Sequence, residues 1–116
     1  MLTFMCQGRF TEHAIRGMTA RPEDRSQPVT QLLEKAGGRL LGWWLAFGDY
    51  DFLLICETPT EQEMASVLIA ATAADGVHEL KTTLLLSGPD SKAAFEHGGE
   101  LARSFRPAGR EGPQFF

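Results

Sequence analysis

The chain is poor in the side chains that build metal centres and covalent scaffolds. Its 116 residues hold two cysteines, Cys6 and Cys56, and three histidines, His13, His78 and His97. Two thiols cannot lace a disulfide framework or fill a four-thiolate zinc site. Cations are in deficit as well: 11 Lys and Arg stand against 15 Asp and Glu, a net charge of −4. Nonspecific nucleic-acid binding needs surplus cations to displace phosphate counterions, and a polybasic membrane surface needs them too, so neither partner is expected. Long apolar runs are missing. The most apolar stretch, Leu40 to Cys56, is cut by Gly48, Asp49 and Asp51, whereas a span needs ~20 mostly apolar residues. Met1 to Gln7 has no basic segment of the kind that opens a signal peptide. The expectation is a soluble cytoplasmic protein with free thiols. No phosphate loop, Cys-x-x-Cys pair, Gly-x-Gly-x-x-Gly or Ser-His-Asp spacing occurs, and no metal or cofactor is expected.

What is present is enough apolar material, 43% of the residues, to build one core. Leu2 to Gln7 reads as a strand ending at Gly8. Thr11 is placed to cap a helical turn over residues 11–15. Pro22 suits the first turn of a longer helix, with Glu23 and Asp24 at its positive end. Val29, Leu32, Leu33 and Ala36 form that helix's apolar stripe, and Gly37-Gly38 stop it. Arg39 to Phe47 and Asp51 to Glu57 read as a hairpin about the turn Gly48-Asp49-Tyr50. The unbroken apolar run Phe52 to Cys56 predicts a central strand. Thr60 and Glu63 form a capping box ahead of Met64, Val67, Leu68 and Ala71. Val77 to Leu86 is the last strand. Strict alternation there puts Val77, Glu79, Lys81 and Thr83 on one face and His78, Leu80, Thr82 and Leu84 on the other.

The order β-α-β-β-α-β predicts an α+β, ferredoxin-like βαββαβ sandwich: a four-stranded antiparallel sheet with its helices on one face. The domain spans residues 1–90. A short helix begins at Ser87 and runs to about His97, and residues 91–116 take in the rest of it and an Arg/Gly/Pro-rich tail from Gly98. In that tail Arg103, Arg106 and Arg110 stand against Glu100 and Glu111, and Phe105, Phe115 and Phe116 are the expected pins. The fold leaves one sheet face open. Trp43 and Trp44 must point to opposite faces. A second copy of the chain, as a homodimer or higher oligomer, is the economical cover for the open face.

At Gly48, Tyr50 and Asp51 the sequence resembles the GYD-domain family. Gly8 with Thr11, Pro22 with Arg25, Gly38, Glu57 with Pro59, Gly76-Val77 and Thr83-Leu84 also match, and the resemblance covers about residues 2–90. It implies a small, oligomeric ferredoxin-like protein. It implies no settled activity, and the tail departs from the family.

Several residues could carry chemistry. Asp51 is either a buried carboxylate with a raised pKa and Tyr50 as its hydroxyl partner, or, with Asp49 and Gly48, part of a turn. His13 and His78 are candidate ligand-binding residues. They are expected at opposite ends of neighbouring strands, too far apart to share a metal. Cys6 and Cys56 lie on paired strands, as a redox pair or as buried structural thiols. Arg16, Arg21 and Arg25 could receive an anion at the first long helix, or form a solvated face. Trp43, Trp44, Phe47 and Phe52 could line a small-molecule cavity on the open face, or supply core and interface. The first functional expectation is a homo-oligomeric small-molecule-binding or regulatory module, taking a small apolar or anionic molecule between sheet and helices. The second is a cofactor-independent monooxygenase- or isomerase-like enzyme with His13 or His78 as base. The third is an interaction module whose Arg-rich tail grips an acidic partner.

Overall fold

The computed structural model describes residues 1–109. Phe115 and Phe116, expected as pins, and Arg110 lie outside the described residues. The chain forms two compact units, Met1–Leu85 and a second from Leu86 onward. The first holds β1 (Leu2–Phe10), α1 (Glu12–Ala20), α2 (Ser26–Lys35), β2 (Arg39–Leu45), β3 (Phe52–Thr58), α3 (Glu61–Ala73) and β4 (Val77–Leu85). Its strands form one antiparallel sheet in the order β2-β3-β1-β4, the ferredoxin-like arrangement. The apolar run of β3 is central, as its composition predicts.

Alternate residues of the central strands make the core. Phe4, Cys6 and Phe10 of β1 and Phe52, Leu54 and Cys56 of β3 are buried with Leu33 of α2 and Met64 and Val67 of α3. Thr60 caps α3 by accepting from the Glu63 amide at 3.2 Å. Gly37, at φ +77°, ends α2, where only a residue free of a Cβ penalty turns left-handed at little cost.

Within the first unit, four details differ from the sequence-based expectation. Residues 11–15 are not a single turn but the start of α1, capped by Thr11, whose hydroxyl accepts from the Ala14 amide at 3.1 Å. The second helix starts at Ser26, so Pro22 sits in a linker. Asp24 governs that start: its carboxylate takes the Ser26 amide at 2.9 Å and hydroxyl at 2.7 Å. These bonds hold the Asp24 carboxyl below its ordinary range. β1 runs past Gly8 to Phe10.

The fourth difference lies in β4. Gln7 faces Lys81 while Arg9 faces His78, so β4 carries one extra residue. Glu79 absorbs it at φ +53°. The bulge resets the alternation, and Val77 packs on the core together with Leu80. Gly8 sits opposite the bulge. A Cβ there would lie 2.5 Å from Leu80 Cδ2 and 2.7 Å from Phe52 Cζ, so a side chain is excluded where sheet and ring close together. A second extra residue lies in β2, where Leu40 faces Cys56 and Gly42 faces Ile55.

In the second unit, α4 (Gly88–Ala102) runs through Gly98-Gly99 instead of stopping near His97. Ser87 accepts from the Asp90 amide at 3.2 Å, and Lys92 pairs with Glu96 at 3.1 Å. The segment expected as a tail from Gly98 is therefore helical as far as Ala102.

Candidate functional site

Between the sheet and helices α1, α2 and α3 lies a cavity of about 530 Å³, within the size range of small-molecule sites. Its floor is sheet. Phe52 is tilted against Phe10, with centroids 5.1 Å apart, and stacks near Trp43, at 6.2 Å and an interplanar angle of 12°. Leu33, Met64, Val67 and Leu80 close the sides. Polar groups are few. Cys6 and Cys56 line the interior, while His13, Glu23 and Arg25 lie where the lining meets solvent.

Of the candidate ligand-binding residues, His13 and Trp43 line this cavity, and the others do not. The cavity is on the helix side of the sheet, between sheet and helices, and not on the open face that the four aromatic residues could have lined. Phe52 lines it with Trp43, whereas Phe47 is 95% exposed. Trp44 lies on the open face, over Gly42, where a Cβ would come within 2.4 Å of the indole. The two tryptophans thus divide between the faces as expected. His13 and His78 are at the same end of the sheet, because antiparallel pairing sets the end of β1 beside the start of β4. The expectation of opposite ends is corrected. What separates them is the sheet itself: His78 faces Arg9 on the open side, while His13 lines the cavity.

The Gly48–Asp51 cluster builds a junction. Gly48 is at φ +131°. Ala46 N donates to Asp51 O at 2.8 Å, closing the hairpin, and Asp51 N donates to Gly8 O at 2.8 Å. The Asp51 carboxylate takes the Phe10 amide at 2.9 Å. Asp51 therefore ties the hairpin to β1 where the strands part. Asp49, Tyr50 and Asp51 do not line the cavity. Asp51→Ala should lower stability by about 1–3 kcal/mol, since it orphans an amide. Asp51→Asn, which keeps an acceptor, should cost less. Urea unfolding of both variants checks this.

Among the arginines, Arg16 is held by Glu12 within α1, and Arg21 caps the end of α1. Only Arg25 reaches the cavity.

The two thiols are buried. Cys6 faces Leu54 and Cys56 faces Phe4, so they are diagonal neighbours, and diagonal strand positions are ~7–8 Å apart, beyond the Cα reach of a disulfide. Cys56 donates to Met64 Sδ at 3.7 Å. Burial pushes the Cys56 thiol up to about 11, with smaller contributions from Cys6 and Glu57. Burial also raises Cys6, against the Thr82 hydroxyl beside it. Both are free thiols whose burial disfavours the reactive thiolate. Because the fold resists the thiolate, the Cys56 contribution to stability should be level up to about pH 9 and fall as pH rises toward about 11. Melting curves across that window check this. In Cys56→Ala the alkaline fall should be shallower, whatever the starting level.

Residue type alone does not mark Phe10, Leu33 and Met64 as lining residues. The alternation Phe4, Cys6, Gly8, Phe10 is the available signal for Phe10, and ending β1 at Gly8 hides it.

Three comparisons with known proteins bear on this chain. The GYD domain matches residues 4–103, which takes in α4 as well as the sheet. No curated protein matches. Among solved structures, MtbAldR is similar at 20% identity and a TM-score of 0.54, over 74% of this chain and 52% of that one. The chain thus spans about half the length of that protein. TTHA0845 from Thermus thermophilus is similar at 16% identity and a TM-score of 0.49, over 76% of this chain and 96% of that one. FFRP-DM1 is similar at 13% identity and 0.48, over 74% and 100%.

Proposed function

This chain belongs to the GYD domain family, and from that premise we propose that it is a small-molecule-binding module with a regulatory role, working as a homo-oligomer. The observation that carries the reading is the cavity of about 530 Å³ on the helix side, apolar within and polar only at its rim. That is the usual make-up of a ligand site.

The open face supports self-association. Residues that pair across the strands share a face, which sets Met5, Leu53, Ile55 and Leu85 beside Trp44. Ion pairs flank this apolar centre: Arg39–Glu57 at 2.8 Å on one side and Arg9–Glu79 at 2.8 Å on the other. An apolar centre with a charged rim is how interfaces are built, and a face with both charges at each edge can meet its own copy about a two-fold axis.

Native mass spectrometry of protein purified from its own host tests both parts. Expected is an oligomer that retains a small molecule. A bare monomer would overturn the reading.

One observation favours a second reading, an enzyme without cofactor: His13, a titratable group, shares the cavity with Trp43. Oxygen uptake with added phenols, lost in His13→Ala, would support it. No uptake removes its monooxygenase form.

A further inference from the structure

We propose that the cavity takes an amphipathic carboxylic acid, its apolar body against the Phe10–Trp43–Phe52 wall and its carboxylate on Arg25. This rests on the reading of the cavity as a ligand site and adds the chemical class of the ligand.

The interior selects the body. The three rings lie with centroids 5.1 to 6.4 Å apart and form a broad apolar wall. A planar or branched hydrocarbon packs there without an unmet polar group, and burial of its surface drives binding.

The rim selects the head. Glu23 and Arg25 are the charged residues among the lining, and His13 joins them. Arg25 is the better placed of the two charges. Its side chain is 32% exposed, against 47% for Glu23. It is also anchored: its carbonyl accepts from Val29 N at 3.4 Å at the start of α2, so the guanidinium projects from a helix end rather than a free loop. A guanidinium offers five N–H groups in a planar fork that matches a carboxylate. Among the described residues Arg25 spends one of them, Nη1, on Glu23 Oε1 at 3.3 Å. That contact is long beside the ~2.7–2.9 Å of a strong charge-assisted bond, and its acceptor is well hydrated. A ligand carboxylate entering the cavity can therefore occupy the free N–H groups or displace Glu23 into water. A cationic ligand would meet Arg25 first, and a neutral one would leave the fork unused.

The test uses the whole protein and two probes of one shape, naphthoate and naphthamide, titrated by calorimetry at low salt. Naphthoate should bind about tenfold tighter or more. Arg25→Gln should erase the difference and leave naphthamide unchanged, a split that general damage to the fold would not give. Glu23→Gln should tighten naphthoate binding by removing its competitor. Equal binding of the two probes, insensitive to Arg25→Gln, would overturn the carboxylate assignment and leave the cavity as a ligand site. Binding of neither probe would overturn both.

Discussion

Trp44→Glu is expected to yield a folded monomer. The indole is 53% exposed on the open face beside half-buried Met5, Leu53 and Ile55, and it covers Gly42, which has no side chain to lift it. Interface aromatics of this kind are worth about 2–4 kcal/mol on truncation. A carboxylate adds the cost of desolvating a charge opposite its own symmetry mate. Sedimentation velocity reads the outcome. Circular dichroism should stay as in the wild type, since the side chain contributes nothing to the helix-side core. Phe47→Ala, on a loop residue still more exposed, serves as the control and should leave the assembly intact. If Trp44→Glu sediments as the wild type does, the open face is not the interface.

The largest effect on stability is expected at Phe52. The ring is 4% exposed, stands between Phe10 and Trp43, and closes against Gly8. Phe52→Ala should cost about 3–5 kcal/mol, a large part of the stability of a domain this size. Gly8→Ala should cost about 1–3 kcal/mol, because its new methyl meets Phe52 Cζ and Leu80 Cδ2. The two losses should not add. Removing the ring leaves the methyl only Leu80 to displace, so the double variant should be more stable than the sum implies. Urea unfolding of the four proteins measures the coupling. Strict additivity would mean that Gly8 is retained for its backbone and not for the ring beside it.

Much of this fold is legible in order and kind. Turn chemistry at Gly37, capping at Thr11 and Thr60 and the apolar run of β3 are local signals, and each resides in a few adjacent residues. The register breaks are not legible. Nothing in the residue types of His78, Glu79 and Leu80 announces that one of them will leave the ladder, because the bulge answers to Gly8 on another strand. That single displaced residue changes which side of β4 meets the core. Pro22 misleads for a related reason: a good first-turn residue and a good linker residue look alike until Asp24 is seen taking the Ser26 amide. At the candidate site, a ligand between sheet and helices is legible from the fold, but which aromatic residues turn toward it is not. That depends on strand register and on where α1 lies, and an amphipathic helix of nine residues with no fully buried side chain leaves a faint trace. Asp51 draws attention as a reactive group because buried carboxylates are rare. Its hydrogen bond to Phe10 shows the commoner use of such a group, in holding a backbone where two strands separate.

Both extra residues in the sheet belong to its outer strands, one in β2 and one in β4. A strand with an uneven outer row of amides and carbonyls is a poor template for another chain, and such irregularities are one way natural sheets resist growth along the edge. An association through the flat face stops after one partner is added. Growth through the edges would repeat without limit, toward fibres. The kinks at Leu41 and Glu79 thus oppose growth along the edges, and straightening either strand by deletion should expose the protein to aggregation before it harms the cavity.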